Sequence, residues 1–550
     1  MIQILALHLN DREFVTNFWL DMIYTNHNNF CFQGMHVLPG ASFLANACAS
    51  IAGTAAFGLI TMKVLFRNYP KFPSSDIGTH PVAAVKGFRI KTTESKHFTV
   101  QFQLFYPCNV VRPEHERSKK LSENNTYMRC RALEGLCRTM GNNKLLRFIL
   151  KCCLKNKAST HLQDGFAENI AVLDNSLSND EISASENKYP IVVFSHGLFG
   201  SMEEYSTICS EIASLGFIVV APEHEDGSAS YAEKATCNQN TCESIENIQV
   251  VIDDGKSIWD LTNDTEQFFE AHVIPYKTPK GVVYDEKSSV VEFRRPFLHQ
   301  RYDEICNVLD ALKQLALDTN DTKQMRDPNC STSTHNFSRE KLKEILSVSS
   351  LNSNGDNSVV LAGHSFGGST IQFVMHQLKE KSSKMLHDFN IKSLILLDPW
   401  VSPVPDDVLS QTFTIPTLNV FCEPFVTWTP KKVPHELEGV IKMLQANQNS
   451  KLHQKNNEHF QCVAIRGTKH QFFSDVPYWI PKFMSKYGGV SGKTNIMTSR
   501  SCMHKLIAKF ILEKDTSQDF NLTSDEMRYV YNVEKAMLLP PTAPAKTIAQ

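Results

Sequence analysis

The chain has 550 residues, of which 42% are hydrophobic and 21% are charged, and its formal net charge at pH 7 is −2. This composition is typical of a globular protein longer than one average domain, and the near-zero charge without a long basic tail argues against nucleic-acid binding. Neither an H-E-x-x-H sequence nor an EF-hand loop occurs, so the sequence signals no metal and no cofactor.

The first 75 residues differ in composition from the rest and are predicted to be an N-terminal extension. Residues 41–62 carry no charge and are followed by Lys63 and Arg67. Their length could span a bilayer, and a buried or surface-docked helix is the alternative. If they span, the basic flank favours a cytosolic C-terminal portion. We therefore expect a cytoplasmic, membrane-associated protein, with secretion as the alternative.

Residues 127–157 contain several leucines, Phe148 and Ile149 among lysines and arginines. A basic helix with an apolar face suits the surface of an anionic membrane. An amphipathic helix packed against the sheet is the alternative.

Strands and helices alternate through residues 76–515, which predicts one α/β domain with a mostly parallel central sheet, flanking helices and polar loop insertions. The predicted strands are 98–106, 189–196, 217–221, 359–361, 393–397, 417–421 and 460–465, and the predicted helices are 203–215, 297–317, 369–378 and 501–513. We expect residues 226–300 to be irregular, 318–357 to contain a surface insertion and 516–550 to form a frayed tail.

The sequence VVLAGHSFGGST begins at Val359 and contains G-x-S-x-G around Ser365. A strand that turns sharply into a helix presents such a serine at the top of the turn, and side chains two residues away on either side would collide. The apolar run before Gly363 and the helical pattern after Gly367 supply this context. The pattern therefore predicts a nucleophile elbow.

A serine nucleophile needs a base and an acid, which follow it along the chain in the α/β-hydrolase fold as Asp or Glu and then His. Asp398 follows the predicted strand 393–397, and His470 lies beyond the strand 460–465. We predict the triad Ser365 (nucleophile), Asp398 (acid) and His470 (base). Glu423, after the intervening strand, is the competing acid.

The oxyanion of an acyl-transfer intermediate needs backbone N–H donors. Phe366 directly follows the predicted nucleophile, and Leu198 lies in the loop after the strand 189–196. We predict these two amides as the donors. His364 is a flanking residue of the elbow, whereas His196 and His224 precede the serine and break the expected chain order.

Six blocks of this sequence resemble the platelet-activating-factor acetylhydrolases, the group VII-type phospholipases A2. They occur in the family's order between residues 78 and 515 and read FSHGLFGSMEEYS, LGFIVVAPEHEDGSAS, HQRYDEI, GHSFGGST, LLDPW and IRGTKHQFFSD. The resemblance implies the same triad and oxyanion donors. It also implies calcium-independent hydrolysis of the sn-2 acetyl, or a short or oxidised acyl, ester of a glycerophospholipid. A basic, hydrophobic helix that docks on membranes or lipoproteins in the family corresponds to residues 127–157.

The chain departs from the family beside the predicted pocket. Phe199 stands where the family sequence HGLG has its second glycine, and Glu225 and Gly227 replace two arginines. These changes leave the triad intact but put the headgroup and chain-length preferences in question. A general carboxylesterase or lipase of the same fold, and a weakly catalytic lipid-binding member, remain the alternatives.

Overall fold

The computed structural model of the protein describes part of the chain. The described residues are 72, 77–92, 97–108, 128, 130–139, 163–164, 188–237, 249–252, 269–274, 276–277, 287–318, 333–352, 356–379, 388–411, 415–427, 435–448, 460–479, 485–486, 490–512 and 521–533. The predicted membrane segment 41–62 and most of residues 127–157 lie outside them. Within the described ranges, no helix combines the length and apolar character needed to cross a membrane.

Eleven of the described strands form one sheet, and two others form a separate antiparallel pair. The strands are Val82–Lys91 (β1), Phe102–Pro107 (β2), Gln163–Asp164 (β3), Ile191–Ser195 (β4), Ile218–Pro222 (β5), Ala232–Cys237 (β6), Gln249–Ile252 (β7), Phe269–Ile274 (β8), Ser358–His364 (β9), Asn390–Leu397 (β10), Thr417–Cys422 (β11), Phe460–Ile465 (β12) and Val530–Asn532 (β13).

The large sheet has the order β13-β12-β11-β10-β9-β4-β5-β2-β1-β3, with β7 paired to β1, and β6 and β8 make the separate pair. The six strands from β12 to β5 run parallel. The flanking strands β2 and β13 are antiparallel to their neighbours in this group. A mostly parallel sheet with a strand–turn–helix elbow at the end of its central strand β9 is the α/β-hydrolase fold, as predicted.

The α-helices pack around this sheet. They are Cys130–Thr139 (α1), Ser206–Ser214 (α2), Lys287–Leu317 (α3), Ser333–Ser347 (α4), Phe366–Lys379 (α5), Asp406–Leu409 (α6), Glu423–Val426 (α7), His435–Gln448 (α8), Ile496–Leu512 (α9) and Ser524–Met527 (α10). Short 3₁₀ turns cover Ser350–Asn352, His470–Phe473 and Val476–Tyr478.

Two hydrophobic cores lie on opposite faces of the sheet, because successive side chains of a strand point to opposite sides. In β4, Ile191 and Val193 pack in the core that includes α3, α4 and α5. Val192 and Phe194 pack in the core that includes α2 and α9. Both faces are therefore covered by helices, which explains why the parallel strands are continuous apolar runs.

Several segments differ from the prediction. Strand β1 pairs with β2 but was not expected, and residues 226–300, predicted to be irregular, contribute β6, β7 and β8. Helix α3 begins at Lys287 rather than at 297 and contains Pro296. Its first turns escape prediction because proline usually marks a helix start. The insertion 318–357 contains α4, and the tail residues Val530–Asn532 pair with β12.

Candidate active site

Ser365 lies at the turn between β9 and α5 and has a backbone φ of +57°. Its N–H donates to the Leu397 carbonyl over 3.0 Å, which ties the turn to β10. A Cβ atom on Gly363 would lie 2.5 Å from the Gly367 carbonyl carbon, and one on Gly367 would lie 2.0 Å from the Ser195 carbonyl oxygen. Both glycines are therefore required by close backbone contacts, as the crowding argument predicts.

Three predicted site residues meet at the carboxyl edge of the sheet. Ser365 Oγ lies 2.8 Å from His470 Nε2, and His470 Nδ1 lies 2.6 Å from Asp398 Oδ2. Because the carboxylate accepts, Nδ1 carries the imidazole proton and Nε2 can accept the serine proton. Asp398 is completely buried, whereas the His470 side chain is 29% exposed. This arrangement can activate a serine hydroxyl.

Asp398 is held by the backbone and side chain of Cys422. The Cys422 N–H donates to Asp398 Oδ1 over 2.9 Å, and the Cys422 thiol donates to Oδ2 over 2.8 Å. Burial, followed by the nearby Asp398 charge, raises the pKa of this thiol well above its usual range, so it stays a donor. The competing acid, Glu423, instead accepts from the Gly467 N–H over 2.9 Å.

His470 is also held through its ring and through its backbone carbonyl. The Phe425 ring stacks on its imidazole with centroids 4.8 Å apart and planes 5° apart. His364 Nε2 donates to the His470 carbonyl over 3.0 Å, and His364 Nδ1 accepts from the Tyr205 hydroxyl over 2.9 Å. Burial and, to a lesser degree, His470 lower the pKa of His364, so His364 is neutral near pH 7.

Leu198, one of the two predicted oxyanion donors, borders a small cavity beside the serine, and Phe366, the other, directly follows the serine. No described residue accepts a hydrogen bond from the N–H of Leu198 or Phe366. The neighbouring amides are occupied, because Gly197 donates to the Tyr205 hydroxyl over 3.1 Å and Phe199 donates to the Ser228 carbonyl over 2.7 Å. The cavity has a volume of about 70 Å³ and is bordered by Ser365, His470 and residues 197–200. These two amides can therefore receive a developing negative charge.

A second serine–histidine–carboxyl arrangement is buried within the fold. Ser195 Oγ lies 2.8 Å from His224 Nε2, and His224 Nδ1 lies 2.7 Å from Glu304 Oε2. Neither Ser195 nor His224 has any exposed surface, and neither borders the cavity. Burial lowers the pKa of His224 and raises that of Glu304. We interpret this chain as a structural brace between β4, β5 and α3.

The residues that depart from the family pattern are compensated by cations from other segments. Glu225 pairs with Arg89 of β1 over 2.7 Å. Gly227 has a φ of +85°, and a Cβ there would lie 2.7 Å from the Lys277 Cδ. Lys277 Nζ donates to the Asp226 carbonyl over 3.0 Å. Positive charge thus lies beside both positions even though the arginines are absent.

Sequence reasoning missed four supporting residues, although each lies close to a predicted site residue. Tyr205 occurs in FSHGLFGSMEEYS, Arg301 in HQRYDEI and Asp475 in IRGTKHQFFSD, while Cys422 directly precedes the competing acid Glu423. The blocks carried a signal for three of them, but the partners that explain them are distant in sequence and only the fold brings them together.

The sheet topology and the convergence of an elbow serine, a histidine and an aspartate define a protein of the α/β-hydrolase class. Comparison with known sequences then makes the assignment more specific. The chain belongs to the family described as platelet-activating factor acetylhydrolase, isoform II, whose model matches residues 71–529.

Individual relatives are more distant. The chain is 26% identical over 337 residues to a platelet-activating factor acetylhydrolase of Gallus gallus, covering 61% of this chain and 64% of that protein. It is also 26% identical to one from Cavia porcellus, covering 59% and 57%. The chain thus spans about three-fifths of the length of these curated relatives. A solved ferulic acid esterase from Streptomyces cinnamoneus is 14% identical, with a TM-score of 0.44 and coverage of 84% and 98%.

Proposed function

We propose that this protein is a serine hydrolase that cleaves the sn-2 acetyl, or a short or oxidised acyl, ester of platelet-activating factor and related glycerophospholipids. The observation that carries the proposal is the continuous hydrogen-bonded chain from Ser365 through His470 to Asp398, beside the N–H groups of Leu198 and Phe366, to which no acceptor is bonded among the residues that the structure describes. Family membership adds the phospholipid class of the substrate.

In the acylation step, Ser365 Oγ attacks the sn-2 carbonyl carbon while its proton passes to His470 Nε2. The negative charge on the carbonyl oxygen is stabilised by the Leu198 and Phe366 N–H groups. Asp398 stabilises the imidazolium without becoming protonated. The intermediate collapses when the glycerol oxygen leaves with the proton of His470, which gives a lysophospholipid and an acyl ester of Ser365.

Deacylation repeats the same proton transfers with water. His470 Nε2 takes a proton from a water molecule, and the resulting hydroxide adds to the acyl carbon of the ester on Ser365. Collapse of the second intermediate returns the proton to Ser365 Oγ and releases the short carboxylic acid. No step needs a co-reactant other than water.

The size of the cavity supports a small acyl group. Its volume is about 70 Å³, whereas an apolar cavity that binds benzene has a volume of about 150 Å³. An acetyl group would fill such a space, and an unmodified long acyl chain would extend well beyond it.

Hydrolysis by purified protein tests the proposal. We expect release of acetate from an sn-2 acetyl phospholipid in the presence of EDTA, slower cleavage of an sn-2 palmitoyl phospholipid, and loss of several orders of magnitude of rate in Ser365→Ala. Equal rates on a water-soluble short-chain ester and on phospholipid would instead support the general carboxylesterase or lipase. Liposome binding without hydrolysis would support the weakly catalytic lipid-binding protein.

We also propose that residues 127–157 contact a membrane or lipoprotein surface. In the described helix α1, Leu133, Leu136 and Cys137 are buried, so the contact rests on the basic and apolar residues 144–157, outside the described ranges. Replacing Lys144, Arg147 and Lys151 by glutamine should weaken sedimentation with anionic vesicles. Unchanged sedimentation at low ionic strength would contradict this part of the proposal.

A further inference from the structure

Arg301 in helix α3 places a guanidinium group with no exposed surface directly behind the site. Its Nε donates to Asp226 Oδ2 over 2.9 Å, and its two terminal nitrogens donate to the His196 carbonyl over 2.8 Å and to Ser228 Oγ over 2.5 Å. Its guanidinium carbon also lies 4.5 Å from the ring centroid of Phe366. One side chain therefore contacts two separate loops and the first residue of α5.

These contacts converge on the two segments that carry the predicted oxyanion amides. His196 directly precedes Gly197 and Leu198 in the chain. The hydrogen bond from Arg301 to its carbonyl therefore fixes the backbone at the point where the oxyanion loop, residues 196–200, leaves β4. The ring of Phe366, which carries the second amide, packs under the same guanidinium at the start of α5. Arg301 thus touches both the oxyanion loop and the elbow residue that carries the second amide.

A second layer of hydrogen bonds extends this clamp along the oxyanion loop. Ser228, which receives the Arg301 guanidinium, accepts the Phe199 N–H at its carbonyl over 2.7 Å. The Ser230 N–H donates to the Gly200 carbonyl over 3.0 Å. The segment that holds Arg301 through Asp226 and Ser228 is therefore paired to the backbone on the C-terminal side of Leu198.

A fully buried arginine–aspartate pair is costly to desolvate, and a hydrophobic pair of similar volume would often be as stable. We propose that Arg301 is a positioning residue that holds the Leu198 and Phe366 amides at the spacing required by the oxyanion. This inference rests on the proposed function. It assigns Arg301 a role in transition-state stabilisation without contact to the substrate.

The geometry predicts a selective kinetic defect in Arg301→Lys, which keeps the charge beside Asp226 but loses the planar fork. Removing one oxyanion donor outright lowers kcat by about 10²–10³-fold. Displacing both donors slightly should lower kcat by about 10–100-fold, with KM almost unchanged because the carbonyl binds them fully only in the transition state.

The diagnostic measurement compares an ester with the thionoester that has sulfur in place of the carbonyl oxygen. Sulfur accepts hydrogen bonds weakly, so the oxyanion hole accelerates thionoester cleavage much less. In Arg301→Lys the rate ratio of ester to thionoester should therefore fall. A general loosening of the fold would slow both substrates equally and leave the ratio unchanged.

Arg500→Lys is the matched control, because Arg500 is also 2% exposed or less but contacts Glu211 in the core around α9, away from the loops. Its rate ratio should equal that of wild type. Ser228→Ala is a milder second variant, which removes one acceptor of the guanidinium while keeping the ion pair. Ser228→Ala should also lower the ratio of ester to thionoester rates. It therefore tests the proposal even where Arg301→Lys is too unstable to assay.

A wild-type ratio in folded Arg301→Lys or in Ser228→Ala would overturn the positioning role. Failure of the proposed function is distinguishable, since wild-type protein would then release no acetate and Ser365 would not react with a phosphonate. Wild-type hydrolysis with an unaltered ratio in the variants would refute only the inference about Arg301.

Discussion

Asp475 joins the loop that carries His470 to the beginning of α2. Its two carboxylate oxygens accept from the N–H and Oγ of Ser206, over 2.7 and 2.6 Å, and from the N–H and Oγ1 of Thr207, over 3.1 and 2.5 Å. Tyr205 occupies the N-cap position of this helix, but its side chain makes no capping hydrogen bond. Asp475 therefore acts as the cap from a distant part of the chain.

Asp475→Ala should lower the free energy of unfolding by about 3–5 kcal/mol, because it leaves four buried donors without their acceptor and removes a negative charge from a helix N-terminus. Burial of the carboxylate offsets part of its value, and the same burial raises the pKa of Asp475. Asp475→Asn keeps one acceptor oxygen and should cost about 1–2 kcal/mol.

Urea unfolding followed by circular dichroism measures these differences, and hydrolysis at low urea measures their effect on the site. Both variants should retain the fold, and kcat should fall in the order wild type, Asp475→Asn, Asp475→Ala as the His470 loop loosens. An Asp475→Ala midpoint equal to that of wild type would refute the capping argument. A stability loss without any change in kcat would refute the link to His470.

Three further outcomes follow from the geometry. Cys422→Ala should lower kcat about fivefold, equivalent to about 1 kcal/mol, because Asp398 loses a donor, whereas Cys422→Ser should stay near wild type. The buried His364 is neutral in the folded protein, and the unfolded chain binds its proton below its usual pKa of 6.5. Acidification from pH 7 to pH 5 should therefore lower the free energy of unfolding of wild type by up to about 1.4 kcal/mol per pH unit more than that of His364→Phe. Urea titrations at each pH measure the difference. Phe199 has a φ of +64°, so Phe199→Gly should be more stable than Phe199→Ala by about 1 kcal/mol. A higher melting temperature for Phe199→Ala than for Phe199→Gly would contradict the inference that the backbone at residue 199 is strained.

Much of the central sheet could be predicted from sequence, because each parallel strand is a buried apolar run bounded by a turn. Strand β12 occurs at the predicted residues 460–465. The approach failed where context decides the structure. Strand β1, VAAVKGFRIK, contains two lysines and an arginine within a mostly buried strand, and Arg89 is accommodated there because it pairs with Glu225 and donates to the Thr99 carbonyl.

The predicted site residues could be chosen from chain order alone, since each follows a strand of the same sheet. Distinguishing them from competing residues of the same chemistry required the folded structure. Glu423 and Asp398 both follow strands, but only the fold shows that Asp398 reaches His470 and that Glu423 faces Gly467. Likewise, Ser195 and His224 resemble a triad in composition, and their complete burial becomes visible only in the structure.

Covalent labelling tests the central claim most directly. Wild-type protein is incubated with a p-nitrophenyl phosphonate, which mimics the tetrahedral intermediate, and the modified peptide is identified by mass spectrometry. We expect one adduct, on Ser365, with stoichiometric release of p-nitrophenol. Labelling of Ser365 should be slower when an sn-2 acetyl phospholipid is present. Ser365→Ala should remain unlabelled. An adduct on Ser195 or on any other residue, or phospholipid hydrolysis that survives in Ser365→Ala, would contradict the account.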